Sequence, residues 1–78
     1  MEKIEVLGKM QEIYRDVLDN EEIVLTPETT AEDIEEWDSL TNIQLIVAIE
    51  KAFNIRFTSA EILSWKNVGE AVETIINK

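Results

Sequence analysis

Apolar side chains return at three- and four-residue spacing over most of this 78-residue chain, and nowhere do they alternate with polar ones convincingly enough to suggest a sheet. Near the start, Ile4, Leu7, Met10, Ile13, Tyr14, Val17 and Leu18 fall on one face of a helix covering about residues 2 to 18. Near the end, Val68, Ala71, Val72, Ile75 and Ile76 do the same, with Asn67 as the capping residue and Glu70 at the third helical position. Between these, Thr58-Ser59-Ala60-Glu61 has the form of a capping box opening a short helix that carries Ile62 and Leu63. Phe53-Asn54-Ile55-Arg56-Phe57 ahead of it reads as a turn with two apolar anchors, and Trp65 behind it as a core wedge.

The central helix, about Ser39 to Ala52, carries two apolar stripes. At about 100° per residue, Leu45, Ile49, Ala52 and Phe53, with Ile46 at the margin, cluster on one side. Leu40, Ile43 and Val47 lie nearly opposite. So short a chain has few elements with which to bury both stripes, so the second is expected to stay exposed and to mark a binding surface. Residues 19 to 37 form a long connection, uncommon in a compact domain unless it has a job. Within it Ile23, Val24 and Leu25 have no partner strand and are expected to plug the core, and Thr30 with Asp33 can cap a brief helical turn. The expected fold is all-α, a small four-helix bundle of three longer helices and one short one, as a single domain over residues 1–78.

Composition narrows the function more than the fold. With 45% hydrophobic and 31% charged residues the chain is an ordinary folded domain, though one that buries only ~60% of the surface its unfolded form exposes. It has no cysteine and no histidine, which excludes disulfides and thiolate metal sites and leaves no nucleophile and base pair to propose, so an enzyme is disfavoured. A net charge of −10 argues against nucleic acid and anionic membrane surfaces. The N-terminus lacks the basic start and apolar run of a secretion signal and no stretch has the length of a membrane span, so a cytoplasmic location is expected. The acids are concentrated: from Asp16 to Glu50 there are eleven and no lysine or arginine, nine of them between Asp19 and Asp38. Partners with basic patches are the natural expectation. The acidic stretch lacks the ligand spacing and central glycine of an EF-hand, so it does not read as a calcium site.

Asp38-Ser39-Leu40 joins that acidic loop to the two-striped helix. Ser39 would sit in the first helical turn, where unpaired backbone N–H groups and the positive end of the helix dipole favour an anionic group such as a phosphate ester. Ile43 follows one turn along on nearly the same azimuth, and Glu50, two further turns along, borders the patch with a negative charge. Two functions fit these features: a cofactor-free helical adaptor in which Ser39 only caps the helix and the stripe binds a partner, or a carrier modified on Ser39.

The run Glu35-Glu36-Trp37-Asp38-Ser39-Leu40-Thr41-Asn42-Ile43-Gln44-Leu45-Ile46-Val47-Ala48-Ile49-Glu50 resembles the attachment motif of the acyl carrier protein family. Phe53, the turn from Phe57 to Glu61, and Trp65-Lys66-Asn67-Val68 extend the resemblance over nearly the full chain. It implies that Ser39 bears a covalent 4′-phosphopantetheine whose thiol holds a cargo as a thioester. It also implies that Asp38 helps the modifying transferase engage, and that Leu40, Ile43, Val47 and Glu50 dock partners. Those partners would be a phosphopantetheinyl transferase and acyl-loading and acyl-transferring enzymes with basic docking patches; no metal, nucleic acid or membrane insertion is implied, and a monomer is expected. Fatty-acid synthesis carriers typically have acidic residues two and five positions after the serine and a small residue two before it. Here those positions hold Thr41, Gln44 and Trp37, and Lys51 stands where an acid is common. The resemblance is therefore to a specialised, free-standing carrier of the kind found in polyketide, nonribosomal peptide or surface-polysaccharide pathways.

Overall fold

The computed structural model describes residues 2–78 as four helices and one 3-10 turn: α1 Lys3–Val17, the turn Ala31–Asp33, α2 Ser39–Phe53, α3 Ser59–Ser64 and α4 Val68–Ile76. Each start has a local chemical cause. Thr58 Oγ1 accepts from the Glu61 N–H while Glu61 Oε1 accepts from the Thr58 N–H, which closes the expected capping box on α3. Asn67 caps α4 through the Glu70 N–H at 3.0 Å, and Asp33 accepts from the Thr30 N–H at 2.9 Å to form the 3-10 turn. Two helices end on a residue in the left-handed region. Asp19 (φ 52°) lets the Asn20 N–H reach Arg15 O at 3.0 Å, and Asn54 (φ 55°) lets the Ile55 N–H reach Glu50 O at 3.0 Å.

The core lies between α1, α2 and α4: Val6, Met10 and Tyr14 from α1, Leu45 and Ile49 from α2, and Val68, Ala71, Val72 and Ile75 from α4. Ile76, expected in that buried face, is half-buried at its edge, as is Trp65. Ile4 does not belong to the core, being 75% exposed. The inward arc of α1 is centred on Val6, Met10, Tyr14 and Leu18, four residues apart in succession, and Ile4 lies well round the helix from it. Ala52 is also exposed, because burial along α2 stops at Ile49 with Phe53 half-buried beyond it. Of the apolar run in the long connection, Ile23 and Leu25 plug the core as expected but Val24 points outward. An extended segment sends successive side chains to opposite sides, so only two of the three can be buried.

The connection is sewn to the helices on both sides. Arg15 Nε donates to Ile23 O at 2.8 Å and the Leu25 N–H donates to Gln11 Oε1 at 3.0 Å, so α1 satisfies the backbone that its own packing buries. At the other end the Val68 N–H donates to Thr29 O at 2.9 Å and the Gly69 N–H to Pro27 O at 2.8 Å. Those two bonds use donors from the first turn of α4 that a helix leaves unpaired. A Cβ on Gly69 would meet Pro27 O at 2.8 Å, closer than such atoms approach, which explains a glycine in the first turn of a helix.

Gly69→Ala should therefore force the Pro27 backbone away from α4 and cost about 1–3 kcal/mol in a denaturant melt. The two stripes of α2 should separate in the same assay. Leu45→Ala or Ile49→Ala should cost about 2–5 kcal/mol, and Ile43→Ala or Val47→Ala about 0.5 kcal/mol or less. A large loss at Ile43 would mean that the exposed stripe supports the fold.

Candidate attachment site and docking stripe

Asp38 is the residue that starts α2. One of its carboxylate oxygens accepts from the Leu40 N–H at 3.0 Å and from the Thr41 N–H at 2.9 Å. Thr41 returns the bond, its hydroxyl accepting from the Asp38 N–H at 2.8 Å and donating to Glu36 O at 2.9 Å. The Thr41 N–H above all, then the Thr41 hydroxyl and the Leu40 N–H, hold the Asp38 carboxyl below the ordinary aspartate value against an opposing effect of desolvation. This overturns one expectation. The unpaired N–H groups that would have received a phosphate at the helix start are occupied by Asp38, and of the first three helical N–H groups only that of Ser39 is left.

Ser39 is the first helical residue, exposed, and its hydroxyl makes no hydrogen bond among the described residues. No side chain is placed to take its proton, so the hydroxyl is available for modification but not self-activated. Leu40, Ile43 and Val47 run along the helix beside it at 68%, 63% and 43% exposure, the unpartnered stripe that the spacing predicts. Glu50, expected to border that stripe as a charge, accepts from the Phe57 N–H at 2.9 Å and is half-buried. It is held against the connection to α3 and does not stand free. The loop acids divide in the same way. Asp33 caps the 3-10 turn and Glu36 accepts from Asn20 Nδ2 at 2.9 Å, whereas Glu32 and Glu35 are exposed with no hydrogen bond or ion pair among the described residues.

A cavity of about 330 Å³ opens beside Ser39 and runs into the core between α1, α2 and α4. Buried Met10, Tyr14, Leu45, Ile49, Val68 and Ala71 line its depth, and Trp37, Asn42, Trp65, Lys66 and Asn67 line it nearer the surface. Trp37 is held by two contacts, its Nε1 donating to Asn42 Oδ1 at 3.0 Å and its ring meeting Tyr14 edge-on at 5.0 Å. Trp65 is held likewise by Thr74 Oγ1 at 2.9 Å and edge-on by Phe57 at 4.9 Å. Neither the cavity nor Asn42 was legible in the spacing. The only sequence hint was an aromatic residue on each side of it. An exposed, unbonded hydroxyl at the mouth of an apolar cavity suits a flexible group esterified there whose far end can enter.

The family model for the phosphopantetheine attachment site matches residues 8–75. The chain belongs to the acyl carrier protein family. It is 36% identical over 76 residues to an acyl carrier protein of Rubrobacter xylanophilus, covering 97% of this chain and 94% of that one. It is 40% identical over 77 residues to an acyl carrier protein of Cyanidium caldarium, covering 97% and 88%. The solution structure of a holo acyl carrier protein from Geobacter metallireducens superposes with a TM-score of 0.88 at 41% identity, covering 94% of this chain and 84% of that one. Acyl carrier proteins bear a covalent phosphopantetheine and act as carriers, so the cofactor-free adaptor drops out. No helix among the described residues is long and apolar enough to cross a membrane.

The Asp38 cap makes the carrier acid-sensitive with a definite sign. Its folded value lies below the unfolded one, so the unfolded chain binds the proton first. The stabilisation is complete above the ordinary aspartate value near ~4 and is lost as pH falls through the lowered folded value. Asp38→Asn keeps a capping oxygen without the titration. In thermal melts from about pH 5 to pH 2 it should flatten the acid limb. Some slope should survive through Glu61, which the Thr58 N–H first and then Lys78 hold low in the same way. An acid limb identical to the parent's would show that the cap does not carry this dependence.

Proposed function

We propose that Ser39 is the serine on which this carrier bears 4′-phosphopantetheine, and that the stripe Leu40, Ile43 and Val47 is where the enzymes that load and unload it dock. The observation that carries the reading is the position of one free hydroxyl: exposed at the start of α2, at the mouth of the cavity and adjacent to the apolar stripe. A group attached there can swing outward to an enzyme docked on the stripe or fold inward toward the core.

In this reading the chain carries and does not catalyse. The Ser39 oxygen attacks phosphorus in coenzyme A, the phosphoanhydride bond to the nucleotide breaks, and adenosine 3′,5′-bisphosphate leaves. The hydroxyl proton goes to a base on the transferase, whose metal ion stabilises the phosphoryl charge. The attached group supplies a terminal thiol that holds the cargo as a thioester. Asp38 positions Ser39 by fixing the first turn, and it presents its remaining carboxylate oxygen to the transferase. Asp19, Glu21, Glu22, Glu28, Glu32 and Glu35, exposed and with side chains free of internal bonds among the described residues, are the loop acids available to basic partner patches, and Glu32 and Glu35 are the nearest of them to Ser39 along the chain. Glu50 is mainly a staple and contributes less. Thr41, Gln44 and Lys51 leave α2 far less acidic than in carriers of fatty-acid synthesis, which supports a specialised pathway.

Incubated with coenzyme A, magnesium and a broad-specificity phosphopantetheinyl transferase, the purified chain should gain the mass of one arm, and Ser39→Ala should gain none. A Ser39→Ala chain that is still modified would move the attachment point elsewhere.

A further inference from the structure

The cavity beside Ser39 is not a plain hydrocarbon slot. Both indoles on its wall have their N–H groups engaged within the protein, Trp37 with Asn42 and Trp65 with Thr74, so they offer the cavity apolar ring surface. The first of these bonds also fixes how Asn42 is turned. An amide that accepts from an indole presents its oxygen there, and the Asn42 NH₂ is left with no partner among the described residues. Asn67 is oriented by the same logic: its oxygen accepts from the Glu70 N–H at 3.0 Å, and its NH₂ is left over.

Two more donors share the cavity. Tyr14 is only 3% exposed, yet its hydroxyl has no partner among the described residues and is not sealed off from accessible space. Burial pushes its phenol up, so it remains a protonated donor. Lys66, next to Asn67, is exposed and in no ion pair among the described residues. Four lining residues thus carry a donor with no protein partner among the described residues and both amide oxygens are already bonded, while the acceptors left at the rim include the Ser39 hydroxyl and the second carboxylate oxygen of Asp38. Asp38, also at the rim, is exposed to solvent.

Donors without a protein partner on residues that line a half-buried space favour an acceptor there, and a charged acceptor most. Resting on the reading of Ser39 as the attachment point, we propose that Tyr14, Asn42, Lys66 and Asn67 select the cargo. The cavity takes acyl groups that carry a carboxylate or another strong acceptor close to the thioester, in preference to hydrocarbon acyl groups of the same shape. The phosphate and amide oxygens of the arm are acceptors too, so the test must separate arm from cargo.

Four samples do this: the unmodified chain, the chain carrying the arm with a free thiol, and the chain loaded by the transferase from malonyl or from 3-methylbutanoyl coenzyme A. The two cargoes have matching branched shapes and differ in having a carboxylate or an isopropyl end. The side-chain NH₂ signals of Asn42 and Asn67 in ¹⁵N–¹H spectra report contact, and thioester half-life in dilute base reports shelter. Malonyl should move both amides beyond the free-thiol form and favour the sheltered state about tenfold over 3-methylbutanoyl, the size of one charge-assisted hydrogen bond. Asn42→Asp and Asn67→Asp keep the oxygens that Trp37 and Glu70 use but lose the donors, and each should abolish that preference. Should Asn42→Asp unfold the half-buried site, the exposed Lys66→Gln serves instead and should weaken the preference. Equal behaviour of the two cargoes would overturn the proposal. So would amides that reach their full shift on attachment of the arm alone, since the donors would then hold the arm's own oxygens. A chain that gains no arm mass fails earlier, on the attachment reading, before any cargo is compared.

Discussion

The working end of this carrier depends on the carboxylate of Asp38 and the two N–H groups it accepts. That cap decides where α2 begins, and so decides that Ser39 is a helical residue with its hydroxyl outside every hydrogen-bonded ladder. A helix start also exposes donors that could seize an anion. By filling that role, Asp38 keeps the first turn from clamping an anion beside Ser39, which suits the proposed attachment there of a group that must swing. Thr41 completes the arrangement from the other side, so the substitution of a hydroxyl for an acid two residues after the serine leaves the cap intact.

Behind that end, a small chain must build a core without enough helix to enclose it. The long connection makes up the difference, contributing Ile23, Leu25 and Ile34 to the core and hydrogen-bonding to Gln11 and Arg15 of α1 and to the first turn of α4. This accounts for an ordered connection with little secondary structure. It also explains the cavity. Trp37 and Trp65 stand beside it because each is tethered by an indole hydrogen bond and an edge-on aromatic contact, and tethered rings cannot collapse inward to fill the space. Asn42, Lys66 and Asn67 stand on its lining toward the surface, so the opening is not closed by apolar contact.

The acids of the loop show how composition misleads when read in bulk. They read as one docking field, but Asp33, Glu36 and Asp38 each hold a specific backbone or side-chain donor. Glu50 does the same at the far end of α2. Bonds from neutral donors leave those charges in place but fix where they point, and the loop acids free to turn toward a partner are Asp19, Glu21, Glu22, Glu28, Glu32 and Glu35, whose side chains have no internal bond among the described residues. In the proposed docking mode, the exposed stripe Leu40, Ile43 and Val47 supplies the apolar contact and the loop acids steer the approach.

What the sequence determined by itself was everything with a local cause. Capping residues at Thr30, Thr58 and Asn67 act within three positions, so the starts of the short elements and of α4 were legible, and the opposed stripes of α2 followed from helical period alone. Ser39 stands out in the sequence as the proposed attachment serine because its neighbours extend the family resemblance along nearly the whole chain. Spacing says which side chains share a face, but not which way the face turns. Only packing against α2 and α4 turned α1 onto Val6 and left Ile4 in water, and only the extended backbone at the core edge excluded Val24. The hydrogen bond that turns Asn42, the staple at Glu50, the close approach at Gly69 and the cavity join residues distant along the chain or brought together by the fold. No local pattern encodes such pairs, because their geometry exists only once the helices have packed.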